Sequence, residues 1–252
     1  MASSPSPPGR TVSLNGVQLY FEVHGAGAPV ILLHGFTGCS QDWAPLITAW
    51  APHFQLIVPD LRGHGGSGTL SQPFRHRDAA ADVLAILDHL GVGVFKGLGV
   101  SGGGNILLHL ATQQPDRVSA MVLVSATSHF PEQARSIMRS YGQSLGAGDW
   151  AVLRQRHPGG DDQIKALLAS AAAFADSHDD MNLTANDLSA ISARTLIVQG
   201  DRDFLYPVEI SEDMARAIPN SSLWIIPNGS HGPIGGERWP EFTKRAFVFL
   251  QG

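Results

Sequence analysis

This chain has little cysteine, little charge of either sign and no long apolar run. With a single cysteine, Cys39, among 252 residues, no intramolecular disulfide can form and no thiolate cluster can hold a metal; this usage is compatible with a reducing, cytoplasmic setting. No two histidines have metal-ligand spacing, so neither a metal nor another cofactor is expected. No apolar stretch reaches the roughly 18 residues of a membrane span. Residues 1–10 lack both a charged n-region and an apolar segment, and they read as a flexible tail rather than a secretory signal. Acidic residues number 22 against 17 basic, a formal net charge of −5, and no basic patch is present to track phosphates, which argues against a nucleic-acid partner. A small-molecule substrate is the expected partner, with monomer and dimer both open.

What is present is enough to build one large core. The chain is 43% hydrophobic, and sheet-centred folds of this length are routinely single domains. A hairpin over 11–14 and 17–23 turns at Asn15-Gly16. Strand-like runs near 30–33, 55–58, 94–98, 119–125, 194–199 and 222–226 alternate with helical spacing near 41–50, 73–89, 103–114, 208–217 and 239–250. That alternation predicts an α/β fold, with about eight strands in a mostly parallel twisted sheet and helices on both faces. It breaks at 128–192, which lacks strand signals and is rich in Ala, Leu, Met and Phe. Helical pieces are expected there at 131–145 and 163–174, separated by glycine-rich breaks at 146–148 and 157–162. The expected organisation is a core of 11–127 and 193–252 with a helical cap, 128–192, inserted in it.

The most specific local signal is Gly99-Val100-Ser101-Gly102-Gly103, a G-x-S-x-G elbow between a strand-like run and a helix-like run. Close strand–helix packing leaves no room for side chains at Gly99 and Gly103, and the tight bend forces strain on the serine backbone while exposing its hydroxyl. The following helix aims its free N–H groups and positive dipole end at the place where an oxyanion would form. An acid and a histidine follow in the order such an elbow requires, each after a strand-like run: Asp203 after 195–199 and His231 after 223–227. Three strand ends would thus deliver Ser101, Asp203 and His231 to one edge of the sheet. Asp201 competes with Asp203 for the acid, with a turn or capping role as its alternative, and Glu132 is a weaker candidate. Of the ten other histidines, His34 and His64 read as loop-shaping, His109 as packed, and His24, His53, His76, His89, His157 and His178 as surface or loop residues. His129 opens the segment after a strand end, where it could line a pocket.

With these landmarks in order, the chain resembles the α/β-hydrolase superfamily over nearly its whole length. The residues that carry the likeness are His34-Gly35-Phe36-Thr37-Gly38, Pro59-Asp60-Leu61-Arg62-Gly63-His64-Gly65-Gly66-Ser67-Gly68, the elbow, Gly200-x-x-Asp203 and Ser230-His231-Gly232. The resemblance implies a serine hydrolase of carboxylesterase or enol-lactonase type. Ser101 would be the nucleophile, His231 the base and then acid, and Asp203 the residue that orients the imidazole. The oxyanion hole would be the backbone N–H groups of Phe36 and Gly102, and the family spacing after Gly200 favours Asp203 over Asp201. Relatives usually carry a bulky residue beside the serine, whereas here Val100 precedes it and Gly102-Gly103-Gly104 follow, implying a roomier site. His129, Phe130, Met138, Trp150, Phe174 and Met181 are the candidates for substrate contact. The expected reaction is cleavage of esters with small to medium acyl chains. The same triad also serves C–C bond and enol-lactone hydrolases, aminopeptidases, acyltransferases and cofactor-free perhydrolases. A ligand receptor on this fold is the reading from a different class.

Overall fold

The computed structural model describes residues 9–143 and 145–252; of the tail expected over residues 1–10, residues 1–8 lie outside them, and Arg10 instead opens the first strand. Eight strands, β1 (Arg10–Leu14), β2 (Val17–His24), β3 (Ala28–Leu33), β4 (Phe54–Pro59), β5 (Phe95–Val100), β6 (Val118–Val124), β7 (Arg194–Gly200) and β8 (Ser221–Ile226), form one sheet in the order β1-β2-β4-β3-β5-β6-β7-β8. Only the β1/β2 and β2/β4 pairs are antiparallel. The helices are α1 (Ala44–Trp50), α2 (His76–His89), α3 (Gly102–Gln113), α4 (Glu132–Arg139), α5 (Ala147–Arg156), α6 (Gly160–Ala173), α7 (Ala185–Ser189), α8 (Val208–Ala217) and α9 (Trp239–Gln251).

The central strands are apolar at successive positions because both of their faces are covered. In β3, Ile31 and Leu33 point into a core shared with Val83 and Ile86 of α2, Ile106 and Leu110 of α3 and Met214 of α8. Val30 and Leu32 point the other way, into a core with Leu46 and Trp50 of α1 and Phe242, Ala246 and Leu250 of α9. Since β3 and β5 through β8 run parallel, the loops leaving β5, β7 and β8 emerge at one edge, which is where the site lies.

Two local expectations need correction. Val94 is exposed, and β5 begins one residue later and runs on to Val100. Between β6 and β7, the breaks expected at 146–148 and 157–162 are partly helical. Gly146 is the N-cap of α5, its N–H donating to Asp149 at 2.9 Å, and α6 starts at Gly160. Glycine followed three residues later by an acid is a helix start signal here, not a break.

The first N–H groups of α2 are capped from a distant segment. The carboxylate of Asp180 accepts the N–H of His76 at 2.7 Å and that of Arg77 at 3.1 Å, and the His76 ring Nδ1–H at 2.8 Å. A helix N-terminus carries unpaired donors and a positive dipole end, so a buried carboxylate is well placed there. Burial works to raise the pKa of Asp180, but hydrogen bonds from His76 and the Arg77 N–H outweigh it and hold the carboxyl well below the usual aspartate range. The unfolded chain therefore takes up this proton first, and the stability Asp180 contributes, full near neutral pH, is lost as the pH falls below the unfolded value of about 3.9.

Two outcomes are expected. A Cβ at Gly103 would stand 2.2 Å from the Leu33 carbonyl oxygen, so Gly103→Ala is expected to destabilise by at least about 2 kcal/mol, seen as a lower urea midpoint; an unchanged midpoint contradicts the close approach. Lowering the pH from 7 to 3 is expected to reduce the wild-type midpoint more than that of Asp180→Asn, and equal losses would remove Asp180 from the acid response.

Candidate active site

Ser101 sits between the last residue of β5 and the first of α3, with φ 52° and ψ −117°. A non-glycine residue at such positive φ is strained. The bend is pinned by the Ser101 N–H donating to the Val124 carbonyl at 2.7 Å and by the Asn105 N–H donating to the Ser101 carbonyl at 2.9 Å. It is also pinned by contact, since a Cβ at Gly99 would stand 2.5 Å from the Gly103 carbonyl carbon. The hydroxyl is thereby held clear of the strand and reaches His231.

His231 lies on the loop after β8 and Asp203 on the loop after β7. Asp203 accepts the His231 Nδ1–H at 2.8 Å, and the Ser101 hydroxyl donates to His231 Nε2 at 2.9 Å. Asp203 is buried and fully engaged: Oδ1 accepts the N–H groups of Leu205 at 2.8 Å and Tyr206 at 3.0 Å, while Oδ2 accepts Gln199 Nε2–H at 3.0 Å. Burial works to raise its pKa, but the hydrogen bonds from His231, Tyr206 and Leu205 outweigh burial and keep it lowered. Asp201, by contrast, is exposed and accepts the Gly229 N–H at 3.2 Å, a turn role. Ser125, at φ 49°, was not singled out by the sequence; its hydroxyl oxygen accepts the Gly232 N–H at 3.0 Å and ties down the histidine loop.

The loop after β3 carries Phe36 to the other side of the serine. Its shape rests on the His34 Nδ1–H, which donates to the Gly35 carbonyl at 2.8 Å, and on Thr37 at φ 65°. His157 braces it further, donating from Nε2 to the Thr37 carbonyl at 3.1 Å and accepting the Gly65 N–H at Nδ1 at 3.0 Å. Burial lowers the pKa of His157, of His34 and of His64, which favours the uncharged form of all three rings. A Cβ on Gly102 would lie 3.5 Å from the Phe36 nitrogen, so the backbones of Phe36 and Gly102 approach each other beside Ser101.

A cavity of about 280 Å³ opens over the serine. Phe36, Phe130, Met138 and Phe174 line it, as do Ile137, Tyr141, Phe204, Leu205 and Tyr206, which the sequence did not point to. His129, Trp150 and Met181 are not among the lining residues. His129 is exposed, Trp150 packs against Leu153, Ile164 and Leu168, and Met181 is buried in the main core. Three histidines expected at the surface or in loops are buried: His24 and His76, which lie in a strand and a helix, and His157, which lies in a loop. His76 lines the cavity itself. Its position as first residue of a helix capped by Asp180, 104 residues away, left no trace in local sequence. Among the described residues, no group of three or more His, Cys, Asp or Glu side chains is arranged to hold a metal ion, and no helix is long and apolar enough to cross a membrane.

The family described as the alpha/beta hydrolase fold matches residues 28–148. The chain is 26% identical over 250 residues to the pimeloyl-[acyl-carrier protein] methyl ester esterase of Nitrosomonas europaea, covering 86% of this chain and 93% of that protein. It is 27% identical over 248 residues to a non-heme haloperoxidase of Rhodococcus erythropolis, covering 86% and 90%. Among solved structures, the enol-lactonase from Burkholderia xenovorans superposes with a TM-score of 0.80 at 20% identity, covering 96% of this chain and 100% of that one. A thermophilic esterase from Thermogutta terrifontis superposes with a TM-score of 0.74 at 25% identity, covering 97% and 98%. The eight-stranded sheet, the elbow and these likenesses together show that the chain has the α/β-hydrolase fold.

Proposed function

We propose that the protein hydrolyses carboxylic esters with small to medium acyl chains through an acyl-enzyme on Ser101. The observation that carries this reading is the unbroken chain of hydrogen bonds from Ser101 through His231 to Asp203, at 2.9 and 2.8 Å, on the floor of a mainly apolar cavity. A serine hydroxyl is a poor nucleophile until a base takes its proton, and an imidazole whose Nδ1–H is held by a carboxylate presents its Nε2 lone pair for that purpose. As Oγ attacks the carbonyl carbon, its proton moves to His231 Nε2 and the carbonyl oxygen takes up negative charge, which the N–H groups of Phe36 and Gly102 receive. Asp203 stabilises the imidazolium and does not itself take the proton. The tetrahedral intermediate collapses, the C–O bond to the alcohol breaks, and His231 returns its proton to the leaving oxygen. Water then repeats the sequence on the acyl-enzyme, releasing the acid and restoring Ser101. Residues 128–192 are proposed to act as the cap over this chemistry, since Phe130, Met138 and Phe174 from that stretch line the cavity. The relatives named as esterases support the substrate class.

On p-nitrophenyl esters, Ser101→Ala is expected to lower kcat by about 10⁴ or more. Asp203→Asn is expected to lower it by about 10³–10⁴, because the amide forces the other imidazole tautomer and turns Nε2 into a donor. Retention of activity in either variant removes that residue from its proposed role. Across acyl chains from acetate to decanoate, kcat/KM is expected to peak among the shorter esters and to fall by decanoate, because a cavity of about 280 Å³ has limited room for a long acyl chain; a profile rising to decanoate would contradict the proposed acyl pocket.

A further inference from the structure

The cavity wall holds a second histidine–aspartate pair, apart from the one that meets Ser101. His76 is 2% exposed, and its Nδ1–H and backbone N–H both donate to Asp180 Oδ2, at 2.8 and 2.7 Å. Two attachments to one buried oxygen leave the ring little freedom. The rings of Phe74, Phe130 and Phe174 surround it, with centroids at 5.3, 5.8 and 5.1 Å. Its remaining nitrogen, Nε2, has no hydrogen-bond partner among the described residues, yet it borders the cavity and lies 3.6 Å from the point where a Cβ on Gly102 would stand. Capping α2 requires only the carboxylate of Asp180 and the backbone amides. Nε2 faces an open cavity, so a ligand that displaces water there either offers it a hydrogen-bonding group or leaves it unpaired at a cost.

The point beside Gly102 is also 3.5 Å from the Phe36 nitrogen, so Nε2 stands next to the amides that are to receive the carbonyl oxygen. The leaving alcohol must face His231 to take its proton, and the group that meets His76 therefore belongs to the acyl half, within two or three bonds of the carbonyl carbon. Since Asp180 fixes the Nδ1 proton, Nε2 accepts a hydrogen bond when the ring is neutral and donates one when it is protonated. A hydroxyl group suits both states, being donor and acceptor at once. We infer that His76, held by Asp180, is the recognition site for a hydroxyl on the acyl group, and that the preferred substrates are esters of short hydroxy acids. This inference rests on the esterase reading and names the substrate class within it.

The test compares phenyl esters in which a methyl replaces the hydroxyl: 2-hydroxybutanoate against 2-methylbutanoate, and 3-hydroxybutanoate against 3-methylbutanoate, each rate normalised to hydroxide-catalysed hydrolysis. For at least one pair, wild-type kcat/KM is expected to favour the hydroxy ester by about tenfold or more. His76→Phe is expected to bring that ratio to one or below, and His76→Gln, whose amide reaches the place of Nε2, to keep most of it. A merely structural role would lower both members of a pair equally. A wild-type ratio at or below one for both pairs overturns the inference whether or not the variants fold, as does a ratio unchanged in a folded His76→Phe. Those results leave the esterase reading intact, whereas absence of wild-type turnover on all four esters overturns that reading and the inference with it.

Discussion

The contact between β5 and α3 at Gly99 and Gly103 is the constraint on which the site depends. Neither position has space for a Cβ, and with strand and helix this close the one residue that turns between them is driven to positive φ. The strain at Ser101 persists because the surrounding sheet over-determines it: the Val124 carbonyl holds its N–H, and the packed apolar strands on either side hold Val124. A serine placed in this way is presented at the helix N-terminus with its hydroxyl facing the loops that leave β7 and β8.

Those loops are made rigid by saturated hydrogen bonding rather than by packing alone. Asp203 accepts bonds from Leu205, Tyr206, Gln199 and His231, so its carboxylate has no freedom to swing away from the imidazole. Ser125 and Gly232 tie the histidine loop back to the end of β6. On the far side, His34 and His157 brace the Phe36 loop through backbone carbonyls. Burial lowers the pKa of both, which favours their uncharged rings. His76 differs from these groups in that its ring borders the cavity, where its Nε2 can meet a ligand.

How much of this was legible in the sequence depended on the range of the contact. The strands of the sheet read correctly because a run buried on both faces is apolar at every position, and the bend at Ser101 was legible because an acid and a histidine follow the glycine-flanked serine in chain order, which a chance glycine-rich turn would lack. Phe130, Met138 and Phe174 were placed at the cavity, but Trp150, with the same apolar character, packs within its own segment against Leu153, Ile164 and Leu168. Helical spacing shows which face of a helix is apolar, not what that face meets. The histidines were misread for a related reason. His76 and His157 lie in polar sequence surroundings, and only their partners, 104 and 120 residues away, bury them.

By itself the sequence determined the α/β alternation, the order of the landmarks and the identities of Ser101, Asp203 and His231 as candidates, because periodicity and glycine-dependent turns are local properties of the chain. Only the tertiary structure decided that Asp203 rather than Asp201 faces His231, that the backbones of Phe36 and Gly102 lie close together, and that Asp180 holds His76 at the cavity. These are matters of fractions of an ångström between segments far apart in sequence. They are settled by how the sheet twists and how the residues between β6 and β7 fold over its edge, which no local pattern encodes.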